Sequence, residues 1–199
     1  PLYYIAPRQS RMVSEGQPTF YDILEDDCKK YTREVKAPCS DSYTVMSVIA
    51  AALGRGESRI RQVNLSMDIT AALNVARQLG AYAHYDKKRR TITVKAAQHD
   101  IAAEGLKVEA SVLNAGESAM VADICLAIAT LSREPVTVTG AKSLLKKRFA
   151  GSCTPLLRHG AEISFSQGRL PAVVSGRLRS GDYIIDGTLR PEAATGLLF

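Results

Sequence analysis

The sequence predicts an α/β protein of the α+β type, built from repeated β-α-β-α-β-β units. Short alternating segments typical of strands are interleaved with longer apolar segments that have helical spacing. The same order of segments occurs twice, and the two copies share short matching stretches at a fixed offset. We therefore expect helices covering mixed sheets, in two complete units and a partial third.

The first unit begins with an apolar helix and ends with a hairpin. Its expected elements are a helix at 40–53, a strand at 58–64, a helix at 68–79 and hairpin strands at 82–85 and 91–94. Ser40 is a suitable helix cap, and Gly54 and Gly80 are suitable stops. The first helix and the helix expected at 116–131 in the second unit carry small and apolar residues on most sides, so we expect both to be buried nearly all round.

The second unit repeats this order. It predicts a strand at 106–112, helices at 116–131 and 142–159 with a strand at 136–139 between them, and hairpin strands at 163–165 and 170–174. Leu79-Gly80-Ala81 matches His159-Gly160-Ala161, which lies 80 residues later. The resulting units are 37–96, 105–176 and a partial unit, 177–199, with a strand at 182–186 and a helix from 191. Residues 1–36 lie outside the repeat, with a surface helix expected at 20–35.

The composition is that of an ordinary globular protein, with 46% hydrophobic and 23% charged residues. No apolar run approaches the ~20 residues that cross a bilayer, and the first residues lack a secretory signal pattern. We therefore expect a cytoplasmic protein with no membrane partner. Its four cysteines and three histidines have no metal-ligand spacing, so we expect no metal and no cofactor.

A net charge of +6 favours anionic partners. One basic cluster, 87–90, lies in the predicted hairpin turn, and a second, 142–148, has helical spacing. Neither cluster is interleaved with aromatic residues, which makes nucleic acid an unfavoured partner. A solvated turn explains the first cluster best, whereas a solvated helix face and an anion site both stay open for the second.

Several motifs occur in an order that resembles the EPSP synthase family. They are Pro38-Cys39-Ser40-Asp41-Ser42-Tyr43-Thr44, Gly56-Glu57-Ser58-Arg59, Asn114-Ala115-Gly116, Gly140 with Ser143-Leu144-Leu145, Pro155-Leu156-Leu157, and Asp186-Gly187-Thr188-Leu189. Each motif is weak alone, but their order over 37–199 and the repeat strengthen the resemblance.

The resemblance implies enolpyruvyl transfer from phosphoenolpyruvate to shikimate 3-phosphate, a step of aromatic amino acid biosynthesis in the shikimate pathway. These two anions would be the partners if the family activity persists. Helix N-termini, backbone amides and cationic side chains bind such groups. The substrate-binding residues that the resemblance implies are Ser42, Thr44, Asn114, Gly116, Lys147, Arg148 and Arg190. We identify no catalytic residue.

The sequence departs from the family's motifs at several ligand positions. Asp41 stands where the motif has lysine, Met46 and Asp123 where arginine is expected, and 190–192 where the family has Ser-Ser-Gln. Exchanging an attractive for a repulsive charge weakens anion binding strongly. We therefore expect a fragment or degenerate homologue that is inactive alone, with a second half-chain or a homo-oligomer as a partner. The alternative is a non-catalytic anion-binding or protein-interaction module on the same fold.

Overall fold

Helices and strands interleave along the chain in the computed structural model, which describes residues 38–97, 100–185 and 191–199. The helices of this part are α1 (Asp41–Leu53), α2 (Met67–Gln78), α3 (Ile101–Glu104), α4 (Ala119–Ile128), α5 (Lys142–Leu145), α6 (Thr154–Arg158) and α7 (Pro191–Gly196). The strands are β1 (Glu57–Ile60), β2 (Tyr82–Asp86), β3 (Thr91–Lys95), β4 (Val112–Asn114), β5 (Val136–Thr139), β6 (Glu162–Ser166) and β7 (Arg169–Ser175). None of the described helices combines the length and apolarity that crossing a bilayer requires.

The strands of the described residues form two sheets. One is antiparallel with the order β1-β3-β2, and the other has the order β4-β5-β7-β6. In the second sheet β4 pairs parallel to β5, while β5 and β6 pair antiparallel to β7. The mixed helix and sheet architecture predicted from the sequence is confirmed. That the two units superpose, as the 80-residue offset suggests, stays a prediction.

Serine side chains cap the N-termini of three long helices. The hydroxyl oxygens of Ser40, Ser66 and Ser118 accept main-chain N–H groups in the first turns of α1, α2 and α4. Such caps satisfy donors that have no partner inside the helix. They fix the point at which each helix leaves its preceding loop, and therefore the shape of that loop.

Helix α4 lies at the centre of the core and α1 at its edge. Every residue from Val121 to Ile128 is buried, in agreement with the expected all-round burial. The same expectation is wrong for α1, where Ser42, Ser47 and Ala50 are exposed. The buried residues of α1 that face inward are Val45, Val48, Ile49 and Ala52 with Thr44, and the exposed Ser42 and Ser47 lie on the outer side. A methyl group on Gly196 of α7 would come within 2.6 Å of the Ala127 side chain, so α7 packs closely on α4.

Several predicted elements are corrected by the structure. The strand expected at 106–112 is replaced by a 3₁₀ turn, Glu109–Ser111, followed by β4. The helix expected at 142–159 is broken into α5 and α6, because the N–H of buried Phe149 donates to Gly168 O (3.0 Å) and draws the chain to the sheet. Residues 182–185 form no strand, and the Tyr183 ring stacks on His159 with centroids 3.8 Å apart. The helix expected at 20–35 lies outside the described residues.

Candidate anion-binding site

The loop after β4 is shaped by hydrogen bonds of Asn114. Its side-chain oxygen accepts the N–H of Gly116 at 3.0 Å, and its own N–H donates to the side-chain oxygen of Gln78 at 2.8 Å. Gly116 has a φ of +58°, a conformation that favours glycine. The Asn114–Gly116 stretch is therefore a tight turn tied to the last turn of α2.

A second loop, after β5, packs against the first. The parallel pairing places Asn114 opposite Thr139, so both strands end at the same edge of the sheet. The N–H of Ala115 donates to Thr139 O (2.9 Å), and the N–H of Ala141 donates to Gly116 O (2.7 Å). A Cβ on Gly140 would lie 2.5 Å from Leu144 Cδ2 and 2.8 Å from Gly116 O. Only glycine allows this approach, which fixes the two loops side by side.

The segment from Lys142 to Arg148 begins directly after these loops. Leu144 is fully buried and anchors α5, while Lys142, Lys146, Lys147 and Arg148 are exposed. None of these four cations forms an ion pair within the described residues, whose salt bridges involve Glu57, Asp86 and Glu104. Their charge is available to an anion in solution. Lys147 and Arg148 are exposed, so an anion could reach both predicted ligands.

The N-terminus of α1 is closed by its own side chains. The Thr44 hydroxyl donates to Ser40 O at 2.8 Å, and Thr44 is only 6% exposed. Asp41 places an acidic side chain in the first turn, where the helix dipole favours it over a bound anion. Ser42 is exposed. Within the described residues, no hydrogen bond or ion pair joins Ser42 or Thr44 to the Asn114–Gly116 turn.

Asp123 belongs to the interior, not to an open anion site. It is 3% exposed on α4 and accepts a hydrogen bond from the Ser152 hydroxyl at 3.3 Å. Burial raises the pKa of the neighbouring Cys125 thiol, and the Asp123 charge raises it further. The position at which the resemblance expects an arginine is therefore acidic and enclosed. Arg190, the remaining predicted ligand, lies outside the described residues.

Two positioning residues were missed by the sequence reasoning. Gln78 holds the N–H of Asn114, and Ser118, which is 1% exposed, caps α4 through the N–H of Val121 at 3.2 Å. Ser118 is detectable from sequence, because it precedes an apolar run with helical spacing. Gln78 gives no local signal, since its partner is 36 residues away. Among the described residues, no group of three or more metal-ligating side chains comes together.

The fold and the paired loops define a mixed α/β domain in which two glycine-containing loops, at Gly116 and Gly140, pack together at one sheet edge. The family model described as EPSP synthase (3-phosphoshikimate 1-carboxyvinyltransferase) matches residues 26–199. This chain belongs to the EPSP synthase family.

Curated relatives support the same family. The 3-phosphoshikimate 1-carboxyvinyltransferase of Deinococcus radiodurans is 30% identical over 189 residues, covering 94% of this chain and 41% of the relative. That of Methanosphaera stadtmanae is 30% identical over 180 residues, covering 89% of this chain and 41% of the relative. The chain thus spans about two fifths of the length of these relatives.

Solved structures show the same fold. An EPSP synthase structure from Acinetobacter baumannii matches with a TM-score of 0.68 and 22% identity, covering 82% of this chain and 36% of that one. A second structure of the enzyme from that organism matches with a TM-score of 0.69 and 20% identity.

Proposed function

We propose that this chain is a diverged substrate-binding portion of an enolpyruvyl transferase, which binds phosphate- or carboxylate-bearing anions and does not catalyse carboxyvinyl transfer alone. The observation that carries the proposal is the contrast between two parts of the site. The Asn114–Gly116 turn is kept, as are Lys147 and Arg148, which form no ion pair among the described residues, whereas Asp41 and Asp123 stand where the family resemblance places cations.

The reaction of the family requires two polyanions to be held together. Preorganised cations and N–H groups supply most of the transition-state stabilisation in such a site, and losing one donor commonly costs about 3 kcal/mol. In this chain the Thr44 hydroxyl donates to Ser40 O and the Gly116 N–H donates to Asn114. Two groups that the resemblance implies as ligands are therefore engaged internally, which favours weak anion binding without turnover.

The ligands we propose for this site are shikimate 3-phosphate and phosphoenolpyruvate, or small anions of the same chemistry. The exposed ammonium group of Lys147 and the guanidinium group of Arg148 would contact a phosphate or carboxylate. Asn114 and Gly116 would form the turn against which the anion lies, and the Ser42 hydroxyl would donate a hydrogen bond to it. A second half-chain or a second copy is a further proposed partner, because this chain spans about two fifths of the relatives' length.

The test measures turnover and binding separately. Phosphate release is followed with both substrates, and calorimetry is run with shikimate 3-phosphate alone. We expect no release above background and weak binding that is lost in Lys147→Gln. Lys88→Gln is the matched control, because Lys88 is also an exposed lysine and lies in the β2–β3 turn.

Three outcomes distinguish the hypotheses. Turnover by this chain alone would contradict the proposal that it is inactive. Binding without turnover would support an anion-binding module. Absence of binding, with a folded protein, would leave a protein-interaction role as the alternative on the same fold. Adding a second half of a family member and recovering turnover would identify the chain as one part of an active enzyme.

A further inference from the structure

Two arginine side chains lie opposite each other where β7 begins. Arg148 and Arg169 form an isolated antiparallel bridge outside the regular strand pairing. Directly opposed residues of an antiparallel pair project to the same face, with Cβ atoms roughly 5 Å apart. On the other side of Arg169, its partner in β6 is Ser166. The side chains of Arg148, Arg169 and Ser166 therefore start from neighbouring positions across this edge of the sheet.

The backbone around this row is held firmly. The N–H of Phe149 donates to Gly168 O at 3.0 Å, and the Phe149 side chain is fully buried. Leu170, next to Arg169, is 3% exposed. Because both neighbours are anchored in the core, the two arginines stay opposed and cannot separate without loss of packing.

Like charges that face each other across a sheet are unfavourable unless an anion lies between them. Within the described residues, neither Arg148 nor Arg169 has a carboxylate partner. The acid of β6, Glu162, lies at the far end of that strand opposite Ser175, whose hydroxyl donates to it. Within the same described part of the chain, the guanidinium Nε of Arg169 is moreover buried and has no hydrogen-bond acceptor.

An unsatisfied buried donor on a charged group is costly, so it indicates a missing acceptor. We propose that Arg148, Arg169 and Ser166 form a binding site for a small oxyanion of the phosphate or carboxylate class. Its oxygens accept from the Arg169 guanidinium, including the Nε–H, and from the Arg148 guanidinium, each of which is planar and can bind an oxyanion through two N–H groups. The Ser166 hydroxyl is the third donor.

This site shares only Arg148 with the proposed function and requires no transfer activity. Arg169 and Ser166 are not implied by the family resemblance, and they come to the site through the β6–β7 turn. The turn adopts positive φ angles at Gln167 (55°) and Gly168 (74°), which bring Arg169 back beside Ser166. The inferred site therefore adds two ligands, Arg169 and Ser166, to the end of the basic segment that runs from Lys142 to Arg148.

The experiment uses the Nε–H signals of arginine in ¹⁵N-resolved nuclear magnetic resonance spectra of the 199-residue chain. Inorganic phosphate and acetate are titrated separately, with chloride at matched ionic strength as the reference. We expect phosphate to shift the Arg169 signal in a saturable manner. Arg169→Gln and Arg148→Gln should each weaken phosphate binding about tenfold or more, because each removes a charge-assisted hydrogen bond. The acetate titration shows whether a carboxylate is accepted as well.

The control variant is Arg61→Gln, which removes an equal charge from an exposed position between β1 and α2. It should leave phosphate binding within about twofold, because an exposed charge elsewhere contributes little. Equal weakening in Arg61→Gln, or an Arg169 signal that does not respond to phosphate, would overturn the site. If Arg169→Gln does not fold, the Arg148→Gln variant and the wild-type titration still decide. Phosphate binding here with no shikimate 3-phosphate binding would refute the proposed function alone.

Discussion

The side-chain oxygen of Gln78 accepts the main-chain N–H of Asn114 at 2.8 Å, which joins the end of α2 to the loop after β4. Residues 36 apart in sequence are thereby fixed in one structure. The same Asn114 uses its side chain to hold Gly116, so the turn is supported on two sides. The geometry of the candidate site depends on these two bonds more than on the identity of the exposed lysines.

Replacing Gln78 by alanine should loosen this loop. We expect Gln78→Ala to lower the free energy of unfolding by about 1 kcal/mol, the usual net contribution of one hydrogen bond. Urea denaturation measures the loss, and amide hydrogen exchange at Asn114 should become faster. Asn74→Ala, at an exposed position of the same helix, is the control and should give a smaller change without an effect on Asn114. Unchanged exchange at Asn114 would contradict the role of Gln78.

A methyl group at Gly140 should disturb the contact between the two loops. It would meet Leu144 Cδ2 at 2.5 Å and Gly116 O at 2.8 Å, and the second of these is backbone that cannot move aside. We expect Gly140→Ala to destabilise the fold by roughly 1–3 kcal/mol, as overpacking does. Gly151→Ala is the matched control, because nothing lies within 4 Å of its Cβ position. Equal thermal stability of the two variants would refute the close packing of the loops.

The elements that the sequence predicted well are those with a clear local period. Helix α2 has apolar residues at helical spacing, and the strands of the β2–β3 hairpin alternate between apolar and polar residues. The ends of these elements carry serine, aspartate or glycine. The break between α5 and α6 has no such signal. It depends on the hydrogen bond from the N–H of Phe149 to the carbonyl oxygen of Gly168, which lies in the β6–β7 turn. A long-range hydrogen bond overrides local helical spacing there.

The candidate site was predictable in its residue types but not in its bonding state. The acidic replacements at Asp41 and Asp123 are visible in the sequence as soon as the motifs are recognised. That the Thr44 hydroxyl donates to Ser40 O, and that Asp123 is buried beside Ser152, follows only from the three-dimensional structure. The opposed pair of Arg148 and Arg169 is also a product of the turn, since the two residues are 21 positions apart in sequence.

The thiol of Cys125 should make stability fall at alkaline pH. Burial raises its pKa in the folded protein above the ordinary value of 9.0, so the unfolded chain loses this proton first as pH rises. Stability from this group is present below about pH 9 and decreases above it, by at most about 1.4 kcal/mol per pH unit. Urea denaturation at pH 8 and pH 10.5 should show a smaller difference for Cys125→Ala than for the wild type.

Reversing the charge of Asp41 should strengthen anion binding at a cost in stability. Asp41 lies in the first turn of α1, where its carboxylate interacts favourably with the helix dipole and repels an anionic ligand. We expect Asp41→Lys to tighten shikimate 3-phosphate binding about tenfold. Two close unit charges interact by about 4 kcal/mol at an effective dielectric of about 20, and we expect only part of this energy because solvent screens the interaction. The same variant should lose roughly 0.3–1 kcal/mol of unfolding free energy. Asp68→Lys makes the same change in the first turn of α2, and calorimetry should show no tighter binding there. Equal tightening in both variants would mean that net charge, and not the α1 terminus, governs the affinity.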